Sequence, residues 1–267
     1  MCRILLYVGR YRPEIVRELF DSLIKVAESD VIGVLSGIDE NHPDGWGLYY
    51  LNLSKKSKLM YKSGNAIFSE HSTCRDILRV IESYSRDDTC VILAHVRAAS
   101  TGEPLGTEHS HPYTYLTRKG VEVVFAHNGA VYKDKLAEVI RVNPLKFTDS
   151  CIAGLYIAFK IEQGEPVPQV LKELMRDYTK TAFMTVSILN EGENIQIYVT
   201  SHLVERYSHR ASYYRLFRID VDEQTRVYMS SSLAHHVHVL EEEKIAKRLP
   251  ATPLPLSFHV EKIELTP

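Results

Sequence analysis

The sequence predicts a single α+β domain in which helices cover β-sheets. Segments with helical spacing of apolar residues alternate with several pairs of β-rich runs, a pattern typical of that class. No repeat, low-complexity tract or long linker divides the 267 residues, and the hydrophobic content of 45% is ample for a packed core. We therefore treat residues 1–267 as one domain.

The amino-terminal half predicts strands and two amphipathic helices. A buried strand is predicted at residues 4–8, followed by a helix that starts at Pro13, a residue suited to a first helical turn. The apolar positions of this helix are Ile15, Val16, Leu19, Phe20, Leu23 and Ile24. The runs GWGLYYLN and KLMYKSG predict paired strands around the turn NLSKKS, and RDILRVIESY predicts the second helix.

Two further β-rich runs, CVILAHVRAAS and GVEVVFAHNGA, each end in polar and small residues. Side chains at strand ends can converge on a pocket while the strands hold them rigidly. We therefore expect the chemistry of the protein at these two ends.

The carboxyl-terminal half predicts two helices and then strands. The helices are expected at 149–163 and 168–178, joined by GEP. The strands are expected in TAFMTVSILN, NIQIYVT, YYRLFRID and RVYMSSS, with NEGEN and DEQT as turns. The tail ATPLPLSFHVEKIEL is interrupted by prolines and is predicted to end in an edge strand.

Composition argues against several classes of partner. The net charge is −2, the sequence pI is near 6.6, and Lys and Arg are spread along the chain, so neither a nucleic-acid nor a membrane-surface patch is predicted. The apolar start is too short for a signal peptide, and no later stretch is long enough to span a bilayer. We expect a cytoplasmic protein. Its cysteines are expected to be reduced thiols, because none forms a C-x-x-C pair; they are Cys2, Cys74, Cys90 and Cys151.

Cys2 is the candidate nucleophile. A small residue at position 2 leaves Met1 open to removal by an aminopeptidase, after which Cys2 carries both a thiol and a free α-amine. An α-amine with a pKa of about 8 can act as the base that activates the thiol. The alternative is a small residue that merely starts a strand.

The run FAHNGAV supplies a candidate oxyanion hole. Asn128 offers a side-chain NH2 and Gly129 an uncrowded backbone N–H, both suited to a developing negative charge. The alternative is a turn, since Asn-Gly is a common turn pair.

Arg97 and Asp149 are candidates for substrate binding. Arg97 follows a β-rich run and can bind a carboxylate bidentately, and Asp149 is placed at a predicted helix N-cap. Together they could bind the carboxylate and ammonium of a free amino acid. The alternatives are that Arg97 is a solvated surface charge and that Asp149 is only a helix cap. Gly45 and Gly47 could either let the backbone come close to a site or form a tight turn.

As a set, these residues resemble the class II glutamine amidotransferases, which are N-terminal-nucleophile hydrolases. The resemblance covers about residues 2–200 and is nearest to stand-alone members without a fused synthase domain. It is carried, in order, by Cys2, DGWG at 44–47, AHVRAAST at 94–101, HSHPY at 109–113, AHNG at 126–129 and TDS at 148–150.

The resemblance implies a four-layer αββα sandwich with Cys2 at the end of a central strand. It implies that Cys2 attacks the side-chain amide of glutamine with its α-amine as base, forming a γ-glutamyl thioester and releasing ammonia. Asn128 and Gly129 would form the oxyanion hole, Arg97 would hold the substrate carboxylate and Asp149 its amine. No cofactor or metal is expected.

Other pocket residues and some departures also follow from the resemblance. Trp46, Gly47 and His111 are expected near the pocket. Cys151 stands where many relatives carry a glutamate, and the alanines after Arg97 replace the polar or aromatic residues more usual there. The shape of the pocket is therefore expected to differ from that of these relatives, while the two substrate-binding anchors, Arg97 and Asp149, are kept.

Two histidine groups have the residue type, although not the partners, of a zinc site. They are His109 with His111, and His235 with His236 and His238. HSHP belongs to the resemblance, and HHVH has no Cys or acid at ligand spacing. We expect local hydrogen bonds or solvent exposure for both groups.

Three functions stay open at this point. The first is a glutamine-hydrolysing amidotransferase whose ammonia passes to a separate synthase subunit, since no G-x-x-x-x-G-K-[ST] or G-x-G-x-x-G motif for an acceptor is visible. The second is an amidohydrolase of γ-glutamyl peptides or conjugates. The third is a non-catalytic glutamine-binding or regulatory protein that kept the fold.

Overall fold

The computed structural model describes residues 2–38, 40–86, 88–240 and 249–265. Its strands are β1 (Arg3–Arg10), β2 (Trp46–Asn52), β3 (Lys58–Ser63), β4 (Thr89–Val96), β5 (Tyr113–Leu116), β6 (Glu122–Val131), β7 (Thr179–Glu191), β8 (Asn194–Ser201), β9 (Leu216–Asp220), β10 (Arg226–Ser230), β11 (Ala251–Pro253) and β12 (His259–Leu265). Its α-helices are α1 (Pro13–Glu28), α2 (Val31–Leu35), α3 (His71–Ser85), α4 (Lys133–Ile140), α5 (Asp149–Glu162), α6 (Val167–Glu173) and α7 (Ser231–His235). Among these residues, no helix is both long and apolar enough to cross a membrane.

The described strands form two antiparallel sheets. The first has the order β11-β9-β10-β1-β4-β2-β3, and the second has the order β12-β8-β7-β6-β5. The predicted edge strand of the tail is confirmed, because β12 pairs with β8 at one edge of the second sheet.

Each sheet is covered by helices on its outer face, so the layers follow the order αββα. Alternation along β1 shows how one strand serves two cores: Ile4 and Leu6 point between the sheets, whereas Leu5 and Tyr7 pack with α1 and α3. A third core lies between the second sheet and α4, α5 and α6. The four-layer sandwich is therefore confirmed.

Element boundaries differ from prediction where polar positions interrupt the apolar pattern. The strand predicted in RVYMSSS ends at Ser230, and Ser231 begins α7. The helix predicted at 168–178 begins at Val167 and continues from α6 as a π-helical stretch, Leu174–Tyr178. The elements α2, α4, β5 and β11 carry no prediction from the sequence, whereas α7 takes up the last two residues of the strand predicted in RVYMSSS.

Candidate active site

Cys2 lies at the end of a central strand, beside the end of β4. In the antiparallel pair of β1 with β4, Arg3 lies opposite Val96, so the next residues outward, Cys2 and Arg97, meet at the same end of the sheet. Both line a cleft together with Asp149 and Gly129. The cleft is small, with a cavity volume of about 30 Å³.

Asn128 joins the second sheet to Cys2. Its Oδ1 atom lies 3.3 Å from the backbone nitrogen of Cys2 and accepts a hydrogen bond from it. Asn128 and Gly129 lie inside β6, so the alternative of an Asn-Gly turn is wrong.

Gly129 occupies a position that admits no side chain. Its φ is +144°, and a Cβ atom there would lie 1.8 Å from the carbonyl oxygen of Ala182. The pairing of β6 with β7 shifts register between Gly129 and Val131. Such a bulge turns backbone groups out of the ladder, and here the N–H of Val131 donates to Oδ2 of Asp149 at 3.0 Å.

Arg97 is buried but keeps donor capacity. Its side chain is 3% exposed, and Nη1 has no hydrogen-bond partner among the described residues. Its backbone is fixed, because its N–H donates to the carbonyl of Gly45 and its own carbonyl accepts from the N–H of Asp44, both at 2.9 Å. A buried guanidinium with an unused donor is suited to an anionic ligand.

Asp149 is the first residue of α5, and the N-cap predicted there is corrected by one residue. The cap is Thr148, whose Oγ1 accepts from the N–H of Cys151 at 3.0 Å. Thr148 has the β-region backbone that a cap requires. The Asp149 carboxylate instead accepts from the N–H groups of Ser150, at 2.7 Å, and Val131, which hold it at the cleft.

Three buried histidines surround this end of the site. The rings of His95 and His111 are tilted by 31° with centroids 3.9 Å apart. Nδ1 of His127 lies 2.9 Å from Oγ of Ser150, and its Nε2 lies 3.2 Å from the carbonyl oxygen of Ala182. Burial lowers the pKa of His127 and lowers those of His95 and His111 well below the usual value, so all three are neutral at neutral pH.

The Cys2 thiol is held in its protonated form by its surroundings. Burial raises the pKa of the Cys2 thiol, and the guanidinium of Arg97 and the backbone N–H of Ala98 act in the opposite direction. A buried thiol of this kind needs a nearby base to become a nucleophile.

The three predicted pocket residues do not all lie at the cleft. His111 lines the cleft, and Gly47 supports it from behind, because a Cβ on Gly47 would lie 2.3 Å from the carbonyl oxygen of His111. Trp46 lies away from the cleft, in the core beneath α1 and α3. There its Nε1 donates to Glu70 at 2.7 Å, and its ring packs against Tyr61.

A possible metal-ligand group differs from the two considered from the sequence. Among the described residues, ligand atoms of Cys2, His95 and His111 lie within 4.8 Å of one another. Neither histidine group considered from the sequence forms such a set within that part of the chain.

Sequence reasoning gave no role to His95, His127 and Ser150. All three lie inside motifs that carry the family resemblance, AHVRAAST, AHNG and TDS, which is the available signal for them. Ser150 is buried at the start of α5.

Comparison with known proteins identifies the family. A family model described as class-II glutamine amidotransferases matches residues 33–241. The chain belongs to the class-II glutamine amidotransferases. The matched range begins after Cys2, so the proposed nucleophile lies outside it.

One curated relative matches about half of this amidotransferase chain. An uncharacterized protein from Methanocaldococcus jannaschii is 26% identical over 128 residues, which are 47% of this chain and 33% of that protein. The chain thus spans about a third of the length of that curated relative.

Two solved structures share the fold at 14% sequence identity. One is described as the allosteric regulatory enzyme of purine biosynthesis, with a TM-score of 0.61 over 99% of this chain and 47% of that one. The other is the glutamine phosphoribosylpyrophosphate amidotransferase from B. subtilis in complex with ADP and GMP, with a TM-score of 0.51 over 85% of this chain and 41% of that one. The amidotransferase chain spans less than half of either.

Proposed function

We propose that this chain hydrolyses the side-chain amide of glutamine through a thioester on Cys2. The observation that carries the proposal is the meeting of Cys2, Arg97 and Asp149 at one cleft, although they come from different parts of the chain. A thiol, a buried guanidinium and a carboxylate match the amide, carboxylate and ammonium of one amino acid.

The chemistry follows from removal of Met1. The freed α-amine of Cys2 takes the thiol proton, and Sγ attacks the amide carbon of glutamine. Negative charge moves to the amide oxygen, where the NH2 of Asn128 and the N–H of Gly129 are the proposed donors. The α-ammonium then gives its proton to the amide nitrogen, the C–N bond breaks and ammonia leaves. Water hydrolyses the thioester to glutamate and the free thiol.

The anchors set the specificity in this proposal. Nη1 of Arg97 is the donor offered to the substrate carboxylate. The Asp149 carboxylate accepts two backbone N–H groups, and its remaining lone pairs can accept from the substrate ammonium. Both anchors would bind the α-carboxylate and α-ammonium of a glutamyl group, which γ-glutamyl peptides and conjugates also contain. These compounds therefore stay an alternative substrate class. Passage of the ammonia to a separate synthase subunit stays a prediction.

The test combines intact mass with product analysis. Wild-type protein that has lost Met1 should release ammonia and glutamate from glutamine in equal amounts, and Cys2→Ala should abolish both. Cys151→Ala is the matched control, because Cys151 is a partly exposed thiol that does not line the cleft. Turnover of γ-glutamyl peptides alone would select the alternative substrate, and a processed protein inert toward both would indicate the non-catalytic alternative.

A further inference from the structure

The Cys2 thiol faces two imidazoles that have unused nitrogen atoms. Among the described residues, neither ring nitrogen of His111 has a hydrogen-bond partner, and Nδ1 of His95 also lacks one. Both side chains are at least 98% buried. Buried polar atoms are nearly always paired, and leaving one unpaired costs about 1–3 kcal/mol. Atoms of this kind beside a thiol are suited to binding a ligand.

His127 provides the contrast within the same site. Both of its ring nitrogens have partners, Ser150 and the carbonyl of Ala182, so it has no capacity for a ligand. His95 is fixed differently: Nε2 lies 3.2 Å from the carbonyl oxygen of His127 and therefore carries the proton it donates there. That tautomer leaves the lone pair on Nδ1. A backbone carbonyl that orients one ring nitrogen is a common support for a histidine that ligates metal through the other.

We infer that Cys2, His95 and His111 form a binding site for Zn²⁺ or a similar thiolate-binding transition metal. Their ligand atoms already lie within 4.8 Å of one another, and Zn²⁺ bound at about 2.0–2.3 Å needs only a modest contraction of the group. Cysteine sulfur and histidine nitrogen are both zinc ligands, and a site with three protein ligands leaves a fourth position open. Once Met1 is removed, the α-amine of Cys2 can fill that position, because sulfur and amine of one cysteine close a five-membered chelate ring.

The metal would inhibit this enzyme. Zn²⁺ at the site binds the thiolate and the amine that the proposed reaction uses, so metal and glutamine compete for Cys2. This consequence depends on the proposed function, whereas metal binding itself does not.

The first experiment uses Co²⁺ as a spectroscopic probe on full-length protein treated with a chelator and a phosphine reductant, then desalted. One equivalent should give intense visible bands of tetrahedral cobalt and a near-ultraviolet cobalt–thiolate band. Cys2→Ala should remove the thiolate band, and His111→Gln and His95→Gln should each weaken binding at least about tenfold. His209→Gln and Cys151→Ala are the matched controls, since His209 is exposed and Cys151 lies outside the group.

A second measurement needs no variant and guards against misfolding of the histidine variants. Zn²⁺ should slow alkylation of Cys2 at least about tenfold, read by peptide mass, and leave Cys151 unchanged. A cobalt spectrum without the thiolate band, or equal protection of both thiols, would overturn the site. If the protein hydrolysed glutamine but bound no metal, this inference alone would be overturned. If it bound metal but did not hydrolyse glutamine, the proposed function alone would be overturned.

Discussion

The backbone nitrogen of Cys2 lies 3.3 Å from Oδ1 of Asn128, a residue 126 positions later in the chain and in the opposite sheet. The contact fixes the orientation of the Asn128 amide. Because Oδ1 faces the nitrogen of Cys2, the NH2 group of Asn128 is the side of the amide that can serve an oxyanion. One planar side chain thus contacts the backbone of Cys2 and keeps its NH2 group available for the proposed oxyanion role.

We predict that Asn128→Asp lowers kcat for glutamine by about 10²–10³-fold. The variant keeps an oxygen for the Cys2 nitrogen but replaces the NH2 donor with a second acceptor. Steady-state kinetics with circular dichroism separates this loss from misfolding. Asn194→Asp is the control at an exposed position. A folded Asn128→Asp variant with wild-type kcat would show that the side chain has no oxyanion role.

We predict that Gly129→Ala destabilises the fold more strongly than Gly192→Ala. Both glycines have positive φ, so both variants bear backbone strain of about 1–3 kcal/mol. Only at Gly129 does the new Cβ collide with the carbonyl of Ala182, whereas around Gly192 nothing lies within 4 Å. Urea unfolding measures the difference, and equal losses would contradict the close approach of β7 to β6.

Apolar spacing predicted the longer strands and helices because each buries a whole face. It missed α4, which buries only Leu136 and Ala137, and β5, a four-residue strand after Pro112. Such short elements are set by the surfaces they cover rather than by a periodic signal.

The candidate site also has a part that the sequence predicted and a part that it did not. Strand-end motifs identified Arg97 and Asn128, but the meeting of Cys2 with His95 and His111 arises from strand register and from a loop that crosses Gly47. Sequence spacing carries no information about that crossing.

We predict that Arg97→Met separates stability from function. A buried guanidinium with an unpaired nitrogen is unfavourable to the fold, so a methionine of similar length should leave the thermal midpoint unchanged or higher. Loss of a buried charge that pairs with the substrate removes about 2–5 kcal/mol, so kcat/KM should fall at least about 30-fold. Arg79→Met, at an exposed residue, is the control for both readings. A large loss of stability would show that Arg97 is structural.

We predict that stability decreases as the pH falls below about 6.5, the ordinary pKa of histidine. Burial lowers the pKa values of His95, His111 and His127 in the folded protein. The unfolded chain therefore binds more protons in this range, and the free energy of unfolding falls with pH by up to about 1.4 kcal/mol per unit for each histidine. Urea titrations from pH 7.5 to 5.5 measure the slope.

His111→Gln should make that slope shallower, and His209→Gln should not. Asp30 does not interfere: its hydrogen bond with His42 and its contacts with Arg3 and Ser232 overcome burial and lower the pKa of that carboxyl. The stability that Asp30 contributes is lost only below the ordinary carboxyl range, outside the titration. An unchanged slope in His111→Gln would show that His111 is protonated to the same extent in both states.

The last prediction concerns the buried pair of Arg3 and Asp30, which supports the residue next to it in the chain. Nε of Arg3 donates to Asp30 at 2.7 Å, and Nη1 donates to the carbonyl of Cys2 at 3.1 Å, so the pair fixes the backbone that carries the proposed nucleophile. Arg3→Met leaves a buried carboxylate without its cation and should cost about 3–5 kcal/mol of stability. The double variant Arg3→Met with Asp30→Asn should lose less, because a neutral amide replaces the unpaired charge. Arg17→Met breaks an exposed pair with Glu82 and should cost no more than about 1 kcal/mol. If the double variant were less stable than Arg3→Met, the charge of Asp30 would be balanced by His42 and Ser232 rather than by Arg3.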